Sequence, residues 1–340
     1  MKKLVTCAVA LALSVSCLSL TACGEDKAKI KVNPDKQNYV VGISQLVTHD
    51  ALDAATQGFK DALTQKLAQE GRTVTFDYQN ASNDASMCTT IANKFVSDDV
   101  DLIMANATPA LQAAYTATET IPVLGTSITE YGVALGIDNF NGVVGSNVSG
   151  TADLAPLDEQ TANMIDLLDL TSEDKVAILY CSAEPNSKYQ ADVVKAEFAE
   201  SNITADIKTF TDSNDIASVC NGIVSGGYDA IYVPTDNTVA SNVSTIDSVI
   251  GAANIPIYAG EEAICRGCGF ATLSISYYNI GVKTGEMAAK ILLGQADVRE
   301  MAIEYDAAPV KKYNATKCAQ LNIEVPSDYA VISGTEIDPQ

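Results

Sequence analysis

The sequence predicts an α/β protein of two similar doubly wound parallel-sheet lobes joined by a multi-strand hinge. After residue 38, short apolar runs typical of buried parallel strands alternate with segments of helical periodicity. Two short motifs also occur twice in the same order. Ser-Asn-Asp followed by a cysteine is found at residues 82–88 and again at residues 213–220, and Ile-Pro-Val at residues 121–123 is matched by Ile-Pro-Ile at residues 255–257. This order indicates a duplicated unit, and about 300 residues are more than one ordinary core needs.

The amino terminus has the pattern of a bacterial lipoprotein signal. Two lysines precede an apolar run over residues 4–20, and Leu20-Thr21-Ala22-Cys23 resembles the lipoprotein box. We therefore expect a signal peptide at residues 1–22, a lipid on Cys23, a flexible tether over residues 23–38, and an extracytoplasmic protein anchored to the membrane only through its lipid. The alternative is an ordinary cleaved signal with a chance cysteine.

Charge and cysteine content exclude several classes of partner. The formal net charge of −22 becomes −24 once Lys2 and Lys3 leave with the signal, which argues against nucleic acid and anionic lipid surfaces. Cys265 and Cys268 form the one CxxC pair, but no second pair follows and His49 is the one histidine. We expect a disulfide or two free thiols there, no metal and no cofactor.

The first half is predicted as βαβαβαβ, hence a parallel sheet with right-handed crossovers. We expect strands at residues 39–44, 74–78, 101–104 and 121–124, and helices at residues 50–67, 84–95 and 110–118. In the second of these helices, Met87, Ile91 and Phe95 recur at helical spacing. Residues 132–150 are rich in glycine and asparagine, and we interpret them as the first passage between lobes.

The pattern then restarts. We expect helices at residues 152–168, 189–200, 214–224, 237–251 and 281–293, and strands at residues 175–180, 203–210, 229–233, 255–259 and 271–275. The end of the chain is expected to cross back between the two lobes. Residues 39–150 plus about 276–305 would then form the first lobe, and residues 151–275 plus about 306–340 the second.

Two strand-to-helix corners carry the polar residues expected at a ligand site. Pro234 ends one strand, and short polar side chains follow it up to Thr238; Thr108-Pro109 follows another strand. In an open α/β sheet, ligands bind at the carboxyl ends of the strands. Two such corners facing each other would hold a small polar molecule, although Thr108 and Asp236 could equally serve as plain helix caps.

Several stretches together resemble the tryptophan- and aromatic-amino-acid-binding lipoproteins of ATP-binding-cassette importers, the TrpX-like substrate-binding proteins. They are residues 46–53 (LVTHDALD), 107–110 (ATPA), 152–160 (ADLAPLDEQ), 182–188 (SAEPNSK), 233–241 (VPTDNTVAS) and 277–285 (YYNIGVKTG). The resemblance implies a periplasmic-binding-protein fold of type I that closes on one solute and delivers it to a permease. The chain departs from that family at Glu130-Tyr131, where Asp-Pro is frequent, and at Ser276, where Asp is frequent.

An α-amino acid suits these corners. A helix N-terminus with Thr108, Pro109, Thr126 and Ser127 would hold the carboxylate, and Asp236 or, second, Glu184 would pair with the ammonium. The remaining predicted polar contacts are Gln45, Asn186, Ser187, Asn237 and Thr238.

An aromatic ring would need an apolar slot, for which Tyr131, Tyr189, Tyr277 and Phe270 are candidates, with Tyr278 beside them. His49 could line the cleft or be a structural imidazole.

Two other classes of function stay open. A nucleoside, a sugar or a branched-chain amino acid would keep the fold and change the cleft, although the absence of tryptophan is mildly unfavourable to a sugar. An extracytoplasmic enzyme is the other class, but the sequence contains no nucleophile elbow, P-loop, GxGxxG after a strand or HExxH motif. We therefore expect a monomeric, non-enzymatic solute-binding protein of an importer.

Overall fold

The computed structural model describes residues 29–305 and 308–334. The predicted signal peptide and the predicted lipidation site Cys23 lie outside the described residues. Within them, two parallel sheets each pack helices on both faces, so that each sheet lies between two apolar clusters. The predicted α/β class with two similar lobes is confirmed.

Nine of the strands correspond to predicted ones, with bounds shifted by a few residues at several ends, and four were not predicted. The described strands are β1 (Asn38–Gln45), β2 (Thr73–Asn80), β3 (Leu102–Asn106), β4 (Val123–Ile128), β5 (Val148–Ala152), β6 (Lys175–Cys181), β7 (Thr204–Phe210), β8 (Ala230–Val233), β9 (Ile257–Ala259), β10 (Ala271–Ser274), β11 (Glu304–Tyr305), β12 (Val310–Tyr313) and β13 (Ala330–Val331).

The helices of the described residues fill the crossovers between these strands. They are α1 (Asp50–Gln69), α2 (Ala85–Ser97), α3 (Thr108–Ala117), α4 (Tyr131–Leu135), α5 (Leu157–Leu168), α6 (Pro185–Glu200), α7 (Ile216–Ser225), α8 (Asn237–Ala240), α9 (Val243–Ile246), α10 (Glu262–Gly267), α11 (Tyr277–Leu292) and α12 (Ala315–Leu321), with a 3-10 turn at Ser213–Asp215 and a π-helical turn at Asp247–Gly251. None of these helices is long and apolar enough to cross a membrane.

The described strands alternate between the two sheets: β1 to β5 belong to one sheet, β6 to β10 to the other, β11 to the first again, and β12 and β13 to the second. The first sheet has the strand order β11-β5-β4-β3-β1-β2, and we call it with its helices the first lobe. The second sheet, β13-β12-β10-β9-β8-β6-β7, belongs to the second lobe; all its paired strands are parallel except β10 and β12. Each lobe therefore contains strands from both ends of the chain.

Residues 132–150 differ from the prediction of a plain passage, because they contain most of a strand. β5 pairs in parallel with β4, and the predicted helix over residues 152–168 begins only at Leu157. The sequence of β5, VSGTA, hid the strand because Gly150 interrupts its apolar pattern. Gly150 has φ +144°, and a Cβ there would lie 2.1 Å from the carbonyl oxygen of Gly125, so the strand needs this glycine.

The predicted helix over residues 237–251 is broken into α8, α9 and a π-helical turn. Asn242 lies between α8 and α9, where its side-chain amide donates to the carbonyl oxygen of Thr238 at 2.8 Å. The hydroxyl of Ser241 donates to the carbonyl oxygen of Asn237 at 2.9 Å. Such local bonds compete with the helical backbone pattern, which explains the break.

Two smaller expectations also change. Met87 is exposed, whereas α2 buries Ile91 and Phe95 as predicted, together with Cys88 and Ala92. In the predicted tether, residues 29–38 lie against the first lobe, because Ile30 and Val32 pack on its core and the Lys31 N–H donates to the Thr120 carbonyl oxygen at 2.8 Å.

The cysteines of the described residues are all buried free thiols. This resolves the two alternatives left for Cys265 and Cys268 in favour of free thiols. Burial raises the pKa of Cys88, Cys181, Cys220 and Cys318 to about 11 in each case, so these thiols stay protonated near neutral pH and are poor nucleophiles.

Candidate functional site

A narrow cavity lies between the lobes, where the carboxyl ends of the central strands face each other. It encloses about 280 Å³ of atom-free space, including its mouth. Its lining residues come from loops after β1, β5, β8 and β9, from the end of β4 and from the starts of α1, α6, α8 and α11. They are His49, Leu52, Ser127, Asp153, Asn186, Thr235, Asp236, Asn237, Ala240, Glu261 and Tyr277. This is the position at which open α/β sheets bind ligands.

Ser127 faces the cavity because β4 is irregular at its end. The pairing of β4 with β5 shifts register between Gly125 and Ile128, and Ser127 takes φ +55° in the left-handed region. Bulges of this kind re-aim side chains beside functional sites. The Ser127 hydroxyl oxygen is buried and has no hydrogen-bond partner among the described residues.

Asp153 is the second polar group on this side, and the sequence interpretation missed it. It directly follows β5, and its Oδ2 accepts a hydrogen bond from the Tyr277 hydroxyl at 2.9 Å. Its Oδ1 is buried without a partner within the described part of the chain. Burial raises the pKa of Asp153, because desolvation disfavours the charged form.

On the other side of the cavity, both carboxylate oxygens of Glu184 accept hydrogen bonds from the first residues of α8. They accept hydrogen bonds from the N–H groups of Asn237 and Thr238 at 2.9 and 2.8 Å, from the Asn237 amide at 2.8 Å and from the Thr238 hydroxyl at 2.7 Å. Glu184 is therefore an internal brace between α6 and α8 and does not line the cavity.

Asp236 lines the cavity but also has a structural task. Its Oδ1 accepts from the Val239 N–H at 2.8 Å as the N-cap of α8, and its Oδ2 accepts from the Cys181 N–H at 2.7 Å. Burial and then the charge of Glu184 raise its pKa well above the usual range. The capping role weighed for Asp236 from the sequence is therefore present in the structure.

Glu261 follows β9 and is the third acidic residue that lines the cavity, after Asp153 and Asp236. It caps α10 by accepting from the N–H groups of Ala263 and Ile264, both at 2.6 Å. Burial raises the pKa of Glu261 to about 7. No lysine or arginine is among the residues that line the cavity in the described part of the chain.

Direct contacts join the lobes around the cavity. His49 Nε2 lies 3.3 Å from Asn237 Oδ1, and the Asn83 amide donates to the Thr238 hydroxyl at 3.2 Å. At the rim, an ion pair of 2.5 Å connects Asp50 of α1 to Arg266 of α10. The structure is thus a closed form with both lobes in contact.

Five of the predicted site residues line the cavity: Ser127, Asn186, Asp236, Asn237 and Tyr277, together with the candidate His49. Among the others, Gln45 is internal, with its amide donating to Asp53 at 2.6 Å and accepting from Thr56 at 2.7 Å. Thr126 contacts the Thr151 hydroxyl at 3.2 Å, and Ser187 donates to the Thr235 carbonyl oxygen at 3.0 Å.

The structure places the remaining predicted residues away from the cavity lining. Thr108 is buried at the start of α3, Thr238 is bonded to Glu184, and Pro109 lines a separate surface groove with Gln112. Of the aromatic candidates, Tyr277 alone lines the cavity.

The other aromatic side chains have different surroundings. Tyr131 donates to the Thr151 carbonyl oxygen, Phe270 packs on Tyr258, and the Tyr278 hydroxyl donates to Asp61 at the surface.

The missed lining residues are Leu52, Asp153, Thr235, Ala240 and Glu261. Glu261 could have been found, because it follows a strand and opens a helix as Asp236 does. Asp153 could not be placed without recognising β5.

Comparison with known proteins gives consistent findings. Residues 40–334 match the family model described as ABC transporter substrate binding protein. A curated protein from Clostridioides difficile (strain R20291), named tyrosine-binding protein, is 35% identical over 300 residues, covering 87% of this chain and 85% of that protein.

Two solved structures have similar identity but differ in how well they match. An ABC domain from Streptococcus pneumoniae in complex with L-Trp is 31% identical, covers 86% of this chain and 100% of its own, and has a TM-score of 0.78. The ligand-free, open structure of a substrate-binding protein with adhesive properties from Clostridium difficile is 34% identical, covers 86% and 99%, and has a TM-score of 0.63. The lower score to the structure described as open agrees with the closed arrangement described above.

Proposed function

The chain belongs to the family of ABC transporter substrate-binding proteins, and we propose that it binds an aromatic amino acid between its lobes for an importer. The protein named tyrosine-binding protein and the structure with bound L-Trp support this ligand class. The relative from Clostridium difficile is described as a substrate-binding protein, and we propose the same non-enzymatic role for this chain.

The acidic side chains that line the cavity are the observation that supports this proposal most strongly. Asp153, Asp236 and Glu261 are buried carboxyl groups at one small cavity, and neither lysine nor arginine is among its described lining residues. Buried carboxylates are costly unless a cation or hydrogen-bond donors compensate them. A ligand with an ammonium group would supply both, whereas a neutral sugar would supply donors without the charge. An amino acid therefore fits the cavity better.

The orientation of the ligand follows from the free polar atoms. We place the ammonium at Asp153 Oδ1, because both oxygens of Asp236 and of Glu184 already accept backbone hydrogen bonds. The carboxylate would then accept from the Ser127 hydroxyl.

The same atoms explain why closure would depend on the ligand. Ser127 Oγ, Asp153 Oδ1 and Asn186 Oδ1 are buried in the closed form without partners in the described chain. Each unsatisfied buried group costs about 1–3 kcal/mol, so the empty closed form is unfavourable. A ligand that satisfies them shifts the equilibrium towards closure by its differential affinity for the two forms.

The cellular setting is part of the proposal. We propose that the mature protein is lipid-anchored through Cys23 outside the cytoplasmic membrane and presents its ligand, as a monomer, to the permease subunits of the transporter. The anchor would raise the effective concentration at the permease. Cys23→Ser should release the protein from the membrane fraction, and a variant that stays bound would contradict the anchor.

The test is calorimetric titration of the protein expressed from Gly24, after unfolding and refolding to remove any copurified ligand. The panel is the amino acids, adenosine, uridine, glucose and galactose. We expect saturable binding of tyrosine, tryptophan or phenylalanine, with a raised melting temperature at saturation. Binding of a branched-chain amino acid, a nucleoside or a sugar alone would overturn the ligand class and leave the family intact.

A further inference from the structure

We propose that the His49 imidazole accepts a hydrogen bond from the side chain of the ligand, so that the site favours tyrosine and tryptophan over phenylalanine. The phenol and the indole carry an O–H or N–H donor, and the phenyl ring carries none. The inference rests on the proposed function and names the residue that sets ligand choice within it.

The neighbours of His49 decide which ring nitrogen holds the proton. The Asn237 amide nitrogen donates to Glu184 Oε2 at 2.8 Å, which orients the amide so that its Oδ1 points to His49. That oxygen can only accept, and it lies 3.3 Å from His49 Nε2. Nε2 must therefore be the protonated nitrogen, and in the neutral ring Nδ1 is then an acceptor.

The ring is held neutral by its surroundings. Burial lowers the pKa of His49, and this outweighs the opposing effect of the bond to Asn237 and of the carboxylates of Glu184, Asp53 and Asp50. A neutral ring with Nε2 protonated has one lone pair left, on Nδ1.

Nδ1 is unoccupied at a place where a ligand would lie. It is shielded from solvent, has no hydrogen-bond partner among the described residues, and belongs to a residue that lines the cavity. The apolar lining residues Leu52 and Ala240 belong to α1 and α8, the helices that begin next to His49 and at its partner Asn237. This end of the cavity suits the side chain of a ligand.

The ammonium group of the ligand has a stronger acceptor in the cavity than His49. A charged acceptor binds an ammonium more strongly than a neutral imidazole does, and Asp153 offers a free carboxylate oxygen in the same cavity. His49 is thus left to a neutral donor. Phenylalanine would bury Nδ1 without a partner, and sites built for a hydrogen bond reject ligands that lack the donor.

The experiment measures Kd for tyrosine, tryptophan, phenylalanine and 4-fluorophenylalanine on the purified wild-type protein and on His49→Phe. The wild type should prefer tyrosine over both donor-free ligands by at least about tenfold. In His49→Phe that ratio should fall to about threefold or less. Loss of the Nε2 contact with Asn237 would weaken every ligand by a similar factor, so the ratio reports Nδ1 alone.

The outcomes separate this inference from the proposed function. A wild type that binds tyrosine and 4-fluorophenylalanine equally well overturns the role of His49, even if the variant fails to fold. A tyrosine preference that is the same in His49→Phe also overturns it and leaves amino-acid binding intact. A wild type that binds none of the four ligands overturns both.

Discussion

At the scale of single residues, the buried carboxylates around the cavity differ in how many of their oxygens are already used. Glu184 accepts hydrogen bonds on both oxygens, Asp236 and Glu261 cap short helices, and Asp153 keeps one free oxygen among the described residues. The first three shape the site, because they fix the loops that form it. Asp153 is the group with unused capacity, and we therefore assign it the direct contact with a ligand cation.

Asp153→Asn should raise the Kd for the amino acid about tenfold to a hundredfold. The change removes one charge-assisted hydrogen bond, worth about 1.5–3 kcal/mol, and leaves an amide of the same shape beside Tyr277. Calorimetric titration measures the effect. Asp158→Asn, an exposed aspartate five residues later, is the matched control and should bind normally. An unchanged Kd in Asp153→Asn would move the ammonium to Asp236.

The raised pKa of Glu261 predicts how the stability of the ligand-free protein depends on pH. Its pKa is about 7 in the folded protein against an ordinary value of 4.5, so between these values the folded state binds more protons than the unfolded state. Stability should therefore fall as pH rises from about 4.5 to 7 and level off above, with Glu261 contributing about 3 kcal/mol. Asp153 and Asp236 act in the same direction, because their pKa values are also raised.

Urea unfolding of the ligand-free protein across this pH range measures the slope. Glu261→Gln should flatten it, since the variant no longer gains a buried charge as pH rises. A variant with the same pH dependence as the wild type would show that Glu261 ionises normally.

At the scale of secondary structure elements, the contact between α1 and α11 positions the lobe-one side of the cavity. The two helices lie so close that a Cβ on Gly281 would come within 2.1 Å of the Ala55 carbonyl oxygen. A Cβ on Gly58 would come within 2.2 Å of the Tyr278 carbonyl oxygen. His49 precedes α1 and Tyr277 begins α11, so this close contact sets the spacing of two cavity residues.

Gly281→Ala should destabilise the protein by about 1–3 kcal/mol or more, because a methyl group against backbone forces the helices apart. It should also weaken binding, because Tyr277 and His49 would separate. Thermal unfolding and titration measure both effects. Gly222→Ala is the matched control: it lies in α7 with open space around its Cβ and should be neutral or stabilising by up to about 1 kcal/mol. Equal behaviour of the two variants would contradict the close contact.

At the scale of the whole molecule, hydrogen bonds and an ion pair between described residues hold the two lobes together. One of the contacts between the lobes described above is an ion pair, formed by Asp50 and Arg266, and its side chains are 47% and 23% exposed. A half-exposed pair contributes little energy, about 1 kcal/mol or less. Such a contact can stabilise closure without preventing the lobes from opening.

Asp50→Asn should raise the Kd for the ligand about twofold to fivefold through faster dissociation, since the closed form loses one contact. The difference from wild type should shrink at high salt, where exposed charges are screened. Stopped-flow binding at low and high salt tests this. Asp192→Asn removes an exposed ion pair within α6 and should change nothing. A slower association rate in Asp50→Asn, with dissociation unchanged, would contradict a role in the closed form.

The fold was predictable because its signals are local and occur twice. The corner at Asp236 was found for the same reason, since strand, Pro234 and polar residues follow one another in the chain. Asp153 was hidden because β5 owes its place to pairing with β4 and to the conformation of Gly150, which no local pattern reports. Nor can a sequence show that Glu184 is fully bonded while Asp153 is not, because that depends on partners distant in the chain.

The interleaved path of the chain has a consequence for the order in which the protein can fold. The first sheet needs β11 and the second needs β12 and β13, and α11 must arrive before α1 is covered. A domain whose residues are contiguous can fold as soon as it leaves the ribosome. Here the first sheet is complete only after β11 has been synthesised, and the second only after β13 has. The two halves of the chain are therefore not independent folding units, because each sheet includes strands from both.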